Sequence, residues 1–197
     1  MVSQTNEAAL ESHIENALAK DGYRVGDPAN FDQEFSVDGK LFWEFLEATQ
    51  PKELAKLKDR PNWQRLVLER LNKKIKKDSV LAVLKKGLDI DDAHFDLLYR
   101  LPYRDLNPEV VANFEANRFS VTRQVHYSQT DTFKSVDMAL FVNGLAVATL
   151  ELKNPWTGQN VQNAVRQYRT DRDPKEPLFE FGRCLVHFAV DPDEAFM

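Results

Sequence analysis

Cysteine is nearly absent from this chain of 197 residues: Cys184 stands alone. That excludes an intrachain disulfide and a thiolate cluster for zinc, and Cys184 itself, in an apolar stretch, reads as inert core. No apolar run approaches the length of a membrane-spanning helix. Residues 1–9 have neither the basic start nor the apolar stretch of a secretory leader, so a cytoplasmic site is expected and no membrane partner is. No G-x-x-x-x-G-K-[ST] is present to cradle ATP phosphates. His13, His94, His126 and His187 lack metal-ligand spacing and read as structural. Positive charge is also in deficit, with a formal net charge of −5. A domain that depends on nonspecific phosphate attraction alone is thereby disfavoured, and any attraction to nucleic acid must come from local patches.

Hydrophobic residues make up 43% and charged residues 29%, enough to bury one sizeable core and keep a polar surface. Residues 6–20 read as an amphipathic helix, with Leu10, Ile14 and Leu18 on a spacing of four and Glu7, Glu11 and Glu15 on another. Asp21-Gly22 stops it, and 23–37 reads as irregular. The stretch 41–100 reads as helical almost throughout, including a helix over 91–99, and is expected to form a side lobe or insert. Its lysines (Lys73, Lys74, Lys76, Lys77, Lys85, Lys86) read either as solvated helix ends or as phosphate contacts. After Leu101-Pro102 the character changes. A helix is expected over 108–117, strands over 120–127, 136–142, 145–153 and 184–190, and a further helix over 158–169 with Val161, Ala164, Val165 and Tyr168 inward. The expected fold is α/β: a mixed central sheet with the helices at 6–20 and 160–172 packed on it. All 197 residues are read as one domain, with a core over 108–197 that includes the opening helix.

The chemistry concentrates in Glu151-Leu152-Lys153. Alternate strand residues share a face, so Glu151 and Lys153 point together and away from Leu150 and Leu152. Charged groups ending an otherwise apolar strand are costly if buried without purpose. Asp137 stands one strand earlier, at the edge of another apolar run. Two carboxylates on neighbouring strands suit a hard divalent cation, Mg²⁺ or Mn²⁺. A lysine beside them suits an attacking water and the charge developing on a phosphate. Arg166, Arg169 and Arg172, spaced by three, are candidates to meet a phosphate backbone.

Parity constrains this site. Asn143-Gly144 between apolar runs is a strong hairpin signal. A plain two-residue turn there pairs Val142 with Leu145, and counting outward sets Asp137 opposite Leu150, facing away from Glu151. A three-residue loop over 142–144, with Gly144 at positive φ, restores the common face. So does a bulge elsewhere between 137 and 151.

The run from Asp137 to Leu145 followed by Glu151-Leu152-Lys153-Asn154-Pro155 resembles the nuclease motif of the R (HsdR) subunits of type I restriction-modification enzymes. The flanks agree: Asn117-Arg118-Phe119, Arg123-Gln124-Val125, Gln167-Tyr168, Asp171-Arg172 and Pro177-Leu178-Phe179. Residues 108–190 resemble the family well and 1–23 loosely. The resemblance implies a restriction-endonuclease-like, PD-(D/E)xK nuclease of the type I site-specific deoxyribonuclease class. Such a nuclease uses Mg²⁺, cuts double-stranded DNA and works with specificity and methylation subunits. It also implies Asp137 and Glu151 as metal ligands, Lys153 as the catalytic lysine, Glu11 from the opening helix and Gln167 and Tyr168 from the later helix as accessory candidates, and an ATP-driven motor beyond Met197. Two positions depart from the pattern: Val136 stands where the motif name has proline, and Ala164 stands where relatives carry a glutamine four before the tyrosine. The alternatives left by the residues are a stand-alone repair or recombination nuclease, and a non-catalytic DNA-binding or assembly module of the same fold.

Overall fold

The computed structural model describes residues 2–103, 107–154 and 160–197, with side chains from residue 7 onward. The opening helix α1 spans Val2–Lys20. Its Leu10, Ile14 and Leu18 lie against Val121, Met138, Leu150 and Leu152 on one face of the sheet. The stretch read as irregular contains three two-residue strands, β1 (Arg24–Val25), β2 (Phe31–Asp32) and β3 (Val37–Asp38). They are too short to show an alternation, and the partners of β1 and β3 are far along the chain: Arg24 pairs with Ser120 and Val37 with Leu145.

Four helices follow: α2 (Gly39–Thr49), α3 (Pro51–Lys58), α4 (Trp63–Asp78) and α5 (Val80–Lys86). The Asp38 carboxylate caps α2, accepting the Leu41 N–H at 3.0 Å. These helices bury Phe42, Phe45, Leu46, Leu54, Leu57 and Val67 in a cluster that also takes in Val37 and Leu145 of the sheet. The expectation of an almost wholly helical segment is corrected at its end. Where a helix over 91–99 was expected, β4 (Leu88–Ile90) and β5 (Ala93–Phe95) form an antiparallel hairpin. Asp91 takes a positive φ of 54 at its turn. Leu88, Ile90, Ala93 and Phe95 are buried while Asp89 and His94 are exposed, a period of two that is too brief to outweigh the helical pattern before it.

After α6 (Pro108–Glu115), three antiparallel strands form the centre: β6 (Phe119–His126), β7 (Ser135–Val142) and β8 (Leu145–Leu152). Helix α7 (Val161–Thr170) then crosses over, and β9 (Val186–Val190) lies parallel to β8, with β10 (Ala195–Phe196) antiparallel to β9. The strand path is β1-β6-β7-β8-β3-β2, and β9 takes the other half of the β8 edge. The fold is α/β, a mixed central sheet flanked by helices, as expected. The Asn160 side chain caps α7 in a reciprocal box with Asn163. Residues 155–159, where part of that helix was expected, lie outside the described residues. No helix among the described residues is long and apolar enough to cross a membrane.

The β7–β8 hairpin decides the site. Val142 pairs with Leu145, and Asn143 and Gly144 have φ of 51 and 81, as a two-residue turn of the primed type requires. The three-residue loop is therefore corrected, and the parity is repaired by the other route. Phe141 pairs with Ala146 but Leu140 with Ala148, so Val147 is an extra, bulged residue. Beyond it Met138 pairs with Leu150, and the same register carried one step further sets Asp137 beside Glu151. The tight turn suits its surroundings. A Cβ on Gly144 would lie 2.6 Å from the Asp38 carbonyl oxygen, and the buried Asn143 side chain bonds Arg118, Leu97 and Asn117.

Candidate active site

Asp137, Glu151 and Lys153 come together at one end of β7 and β8. Glu151 is fully buried. Asp137 Oδ2 accepts the Leu152 N–H at 2.7 Å, tying the two strand ends together. Lys153 continues the strand, donating its N–H to the Val190 carbonyl at 2.9 Å, which keeps its side chain on the Glu151 side of the sheet. Leu150 and Leu152 pack into the opposite layer against α1, as the alternation predicts.

The electrostatics are those of charge held away from water. Burial pushes the Glu151 carboxyl up to about 7, the neighbouring Asp137 charge adds to the rise, and Arg172 and Lys153 oppose it. Asp137 is also raised, chiefly by burial, against the Leu152 hydrogen bond and the Lys153 charge. Glu151 Oε1 accepts from Arg172 Nη2, while Glu151 Oε2 is buried without a hydrogen-bond partner. An unsatisfied carboxylate oxygen beside a second, half-buried carboxylate, with both acids raised, is a donor set that fits a hard divalent cation. No group of three or more His, Cys, Asp or Glu among the described residues is arranged to hold a metal. The candidate donors among the described residues are these two carboxylates. Mg²⁺ accepts such a set, since it commonly takes one or two carboxylates and completes its shell with water and phosphate oxygens.

The remaining candidates are dispersed. Glu11 is buried, and its carboxylate accepts from Arg123 Nε and Gln124 Nε2, each at 2.7 Å. Glu7, one turn earlier on α1, feels both Lys153 and Asp137, and its carboxyl is raised by burial first of all. The spacing of four that linked Glu7 to Glu11 was the signal for it. The Tyr168 hydroxyl lies 2.8 Å from Thr149 Oγ1, which lies 2.7 Å from His187 Nδ1, and burial raises Tyr168 and lowers His187. Gln167 and Arg166 line an open polar groove of about 440 Å³ together with Lys153, Asn163, Thr170 and Asp171. Arg169 lines a different, mostly apolar hollow with Val165, Tyr168 and His187.

Arg172 departs from its expected place among the candidates to meet a phosphate backbone. Its side chain is 7% exposed and pairs with Glu151, so its guanidinium is not presented to a phosphate backbone. The spacing explains the divergence: residues three apart fall about 60° short of a full turn, and α7 ends at Thr170. Cys184 is half-buried against the cluster of Tyr127, Phe141 and Leu178, and burial pushes its thiol up to about 12.

Residues 4–197 match the family described as the type I restriction enzyme R protein N terminus. The chain belongs to that family. A relative from Methanocaldococcus jannaschii, described as "Putative type I restriction enzyme MjaIXP endonuclease subunit", is 22% identical over 141 residues, covering 60% of this chain and 14% of that protein. The chain therefore spans a small part of that relative's length. The match extends through the lobe at 39–97, which had offered no help in recognising the family from sequence.

Proposed function

We propose that this R protein N terminus is the nuclease region of a type I restriction enzyme, hydrolysing phosphodiester bonds of double-stranded DNA with a divalent metal. Asp137 and Glu151 hold Mg²⁺, or Mn²⁺ in its place, and Lys153 is the catalytic lysine. The observation that carries this reading is the pair of carboxylates on adjacent strands, Glu151 buried and Asp137 half-buried, with Glu151 Oε2 lacking a hydrogen-bond partner. When bound, the metal supplies an acidified water and charge neutralisation at the phosphate.

The residues of the chain supply the rest. Lys153, beside the carboxylates, steadies the attacking water and offers an ammonium to the negative charge that grows on the phosphate oxygens. Arg166 and Gln167, in the groove beside Lys153, hold the flanking backbone phosphate. The carboxylates remain ionised beside the cation and keep it at the strand ends. In this proposal the ATP-driven motor, the specificity subunit and the methylation subunit belong to the complete enzyme and bring the duplex to this site.

The test uses the full R protein assembled with its partner subunits, ATP, Mg²⁺ and plasmid. Lys153→Ala should abolish cleavage and leave most of the metal binding seen by calorimetry. Asp137→Ala should lose both. A Lys153→Ala enzyme that cuts plasmid at the wild-type rate defeats the assignment.

A further inference from the structure

Arginine and carboxylate often meet fork to fork, with two parallel hydrogen bonds. At Arg172 the fork is divided. Nη2 bonds Glu151 Oε1 and also the Ser135 carbonyl at 2.8 Å, and Nη1 bonds the Tyr127 hydroxyl at 2.7 Å. The guanidinium is further held against the rings of Tyr127 and Phe179, with its carbon 5.1 and 5.8 Å from their centroids. Both partners are withdrawn from water, at 7% and 1% exposure. In this position the arginine bonds only Oε1 of Glu151, its Nε–H bonds nothing, and Glu151 Oε2 stays without a hydrogen-bond partner.

Stability alone does not account for this arrangement. A buried ion pair is often matched or bettered by well-packed apolar residues, and here Arg172 Nε is also buried and unbonded. What the arrangement achieves is a carboxylate with one oxygen anchored and one available. We infer that Arg172, steadied by Tyr127, is a positioning residue that fixes the Glu151 carboxylate so that Oε2 is presented to the metal. This inference rests on the reading of Asp137 and Glu151 as metal ligands. Partners that orient metal-binding carboxylates typically matter about 10- to 100-fold in metal affinity.

Mn²⁺ binding to the nucleotide-free full R protein, followed by electron paramagnetic resonance, tests the inference without relying on cleavage. Arg172→Ala should weaken binding about 10- to 100-fold, Arg172→Lys should recover part of the loss, and Tyr127→Phe should weaken binding in the same direction by less. Thermal unfolding identifies any variant that fails to fold. If Arg172→Ala does, Tyr127→Phe decides alone, and wild-type Mn²⁺ affinity in it overturns the inference. Asp137→Ala separates the two levels of argument. If it loses Mn²⁺ while Arg172→Ala and Tyr127→Phe, both folded, bind as wild type, the role of Arg172 is overturned and the metal site stands. If Asp137→Ala also binds as wild type, the metal site fails and the inference fails with it.

Discussion

The helical lobe and the carboxylate end of the sheet handle their charges in opposite ways. In the lobe, charged side chains lie at the surface and find partners there. Arg65 and Glu69 pair at 2.9 Å with side chains 56% and 53% exposed, and Lys74 pairs with Asp78 one turn on. Such pairs contribute little, and the lobe is held by its apolar cluster and its caps. At the sheet end the ion pair is almost dry, one carboxylate oxygen has no partner, and burial raises both acids. The lobe is consistent with its own stability. The sheet end keeps polar groups that stability would discard, and such places are where function is expected.

The largest expected effect on stability lies in the lobe. Phe45 is fully buried in the lobe cluster, and Phe45→Ala should lower unfolding free energy by about 3–5 kcal/mol. Chemical denaturation measures it. A loss under about 1 kcal/mol would mean that the lobe does not rest on that cluster.

The next effect belongs to the sheet end and depends on pH. In the metal-free protein the Glu151 proton leaves near pH 7, whereas in the unfolded chain it leaves near the ordinary 4.5. The folded state is therefore favoured by protonation, and its stability should fall as pH rises through that window, by on the order of 3 kcal/mol. Asp137 is raised as well and acts in the same sense. Denaturation curves in chelator at about pH 4 and about pH 8 would show it, and Glu151→Gln should flatten the slope. If wild type and Glu151→Gln share one slope, Glu151 is as well satisfied as the lobe carboxylates and the contrast is lost.

The smallest effect sharpens the comparison from the other side. Lys74→Ala removes a surface partner of Asp78 and should leave the unfolding midpoint unchanged within error, at low and high salt alike. A salt-dependent drop would show the lobe charges to be working as a network.

Much of the centre was legible in the sequence because its signals are local. The apolar runs of β7 and β8, Asn143-Gly144 between them, the stripe of Leu10, Ile14 and Leu18, and the Glu151-Leu152-Lys153 triplet each state a period or a turn within a few residues. They determined the helices packed on the sheet, the central hairpin and the common face of Glu151 and Lys153. Parity even required an odd residue somewhere in the hairpin. Which residue it was depended on packing. With Asn143 bonded into the lobe and Gly144 pressed against Asp38 and Phe42, the turn is tight, and the extra residue appears at Val147. The pairing of Val37 with Leu145, the hairpin at Leu88–Phe95 and the inward turn of Arg172 toward Glu151 were likewise decided by the tertiary structure. The physical reason is common to them. A short strand or a lone arginine has no period of its own, and its place is set by whichever unsatisfied edge or buried charge the folded chain brings alongside it.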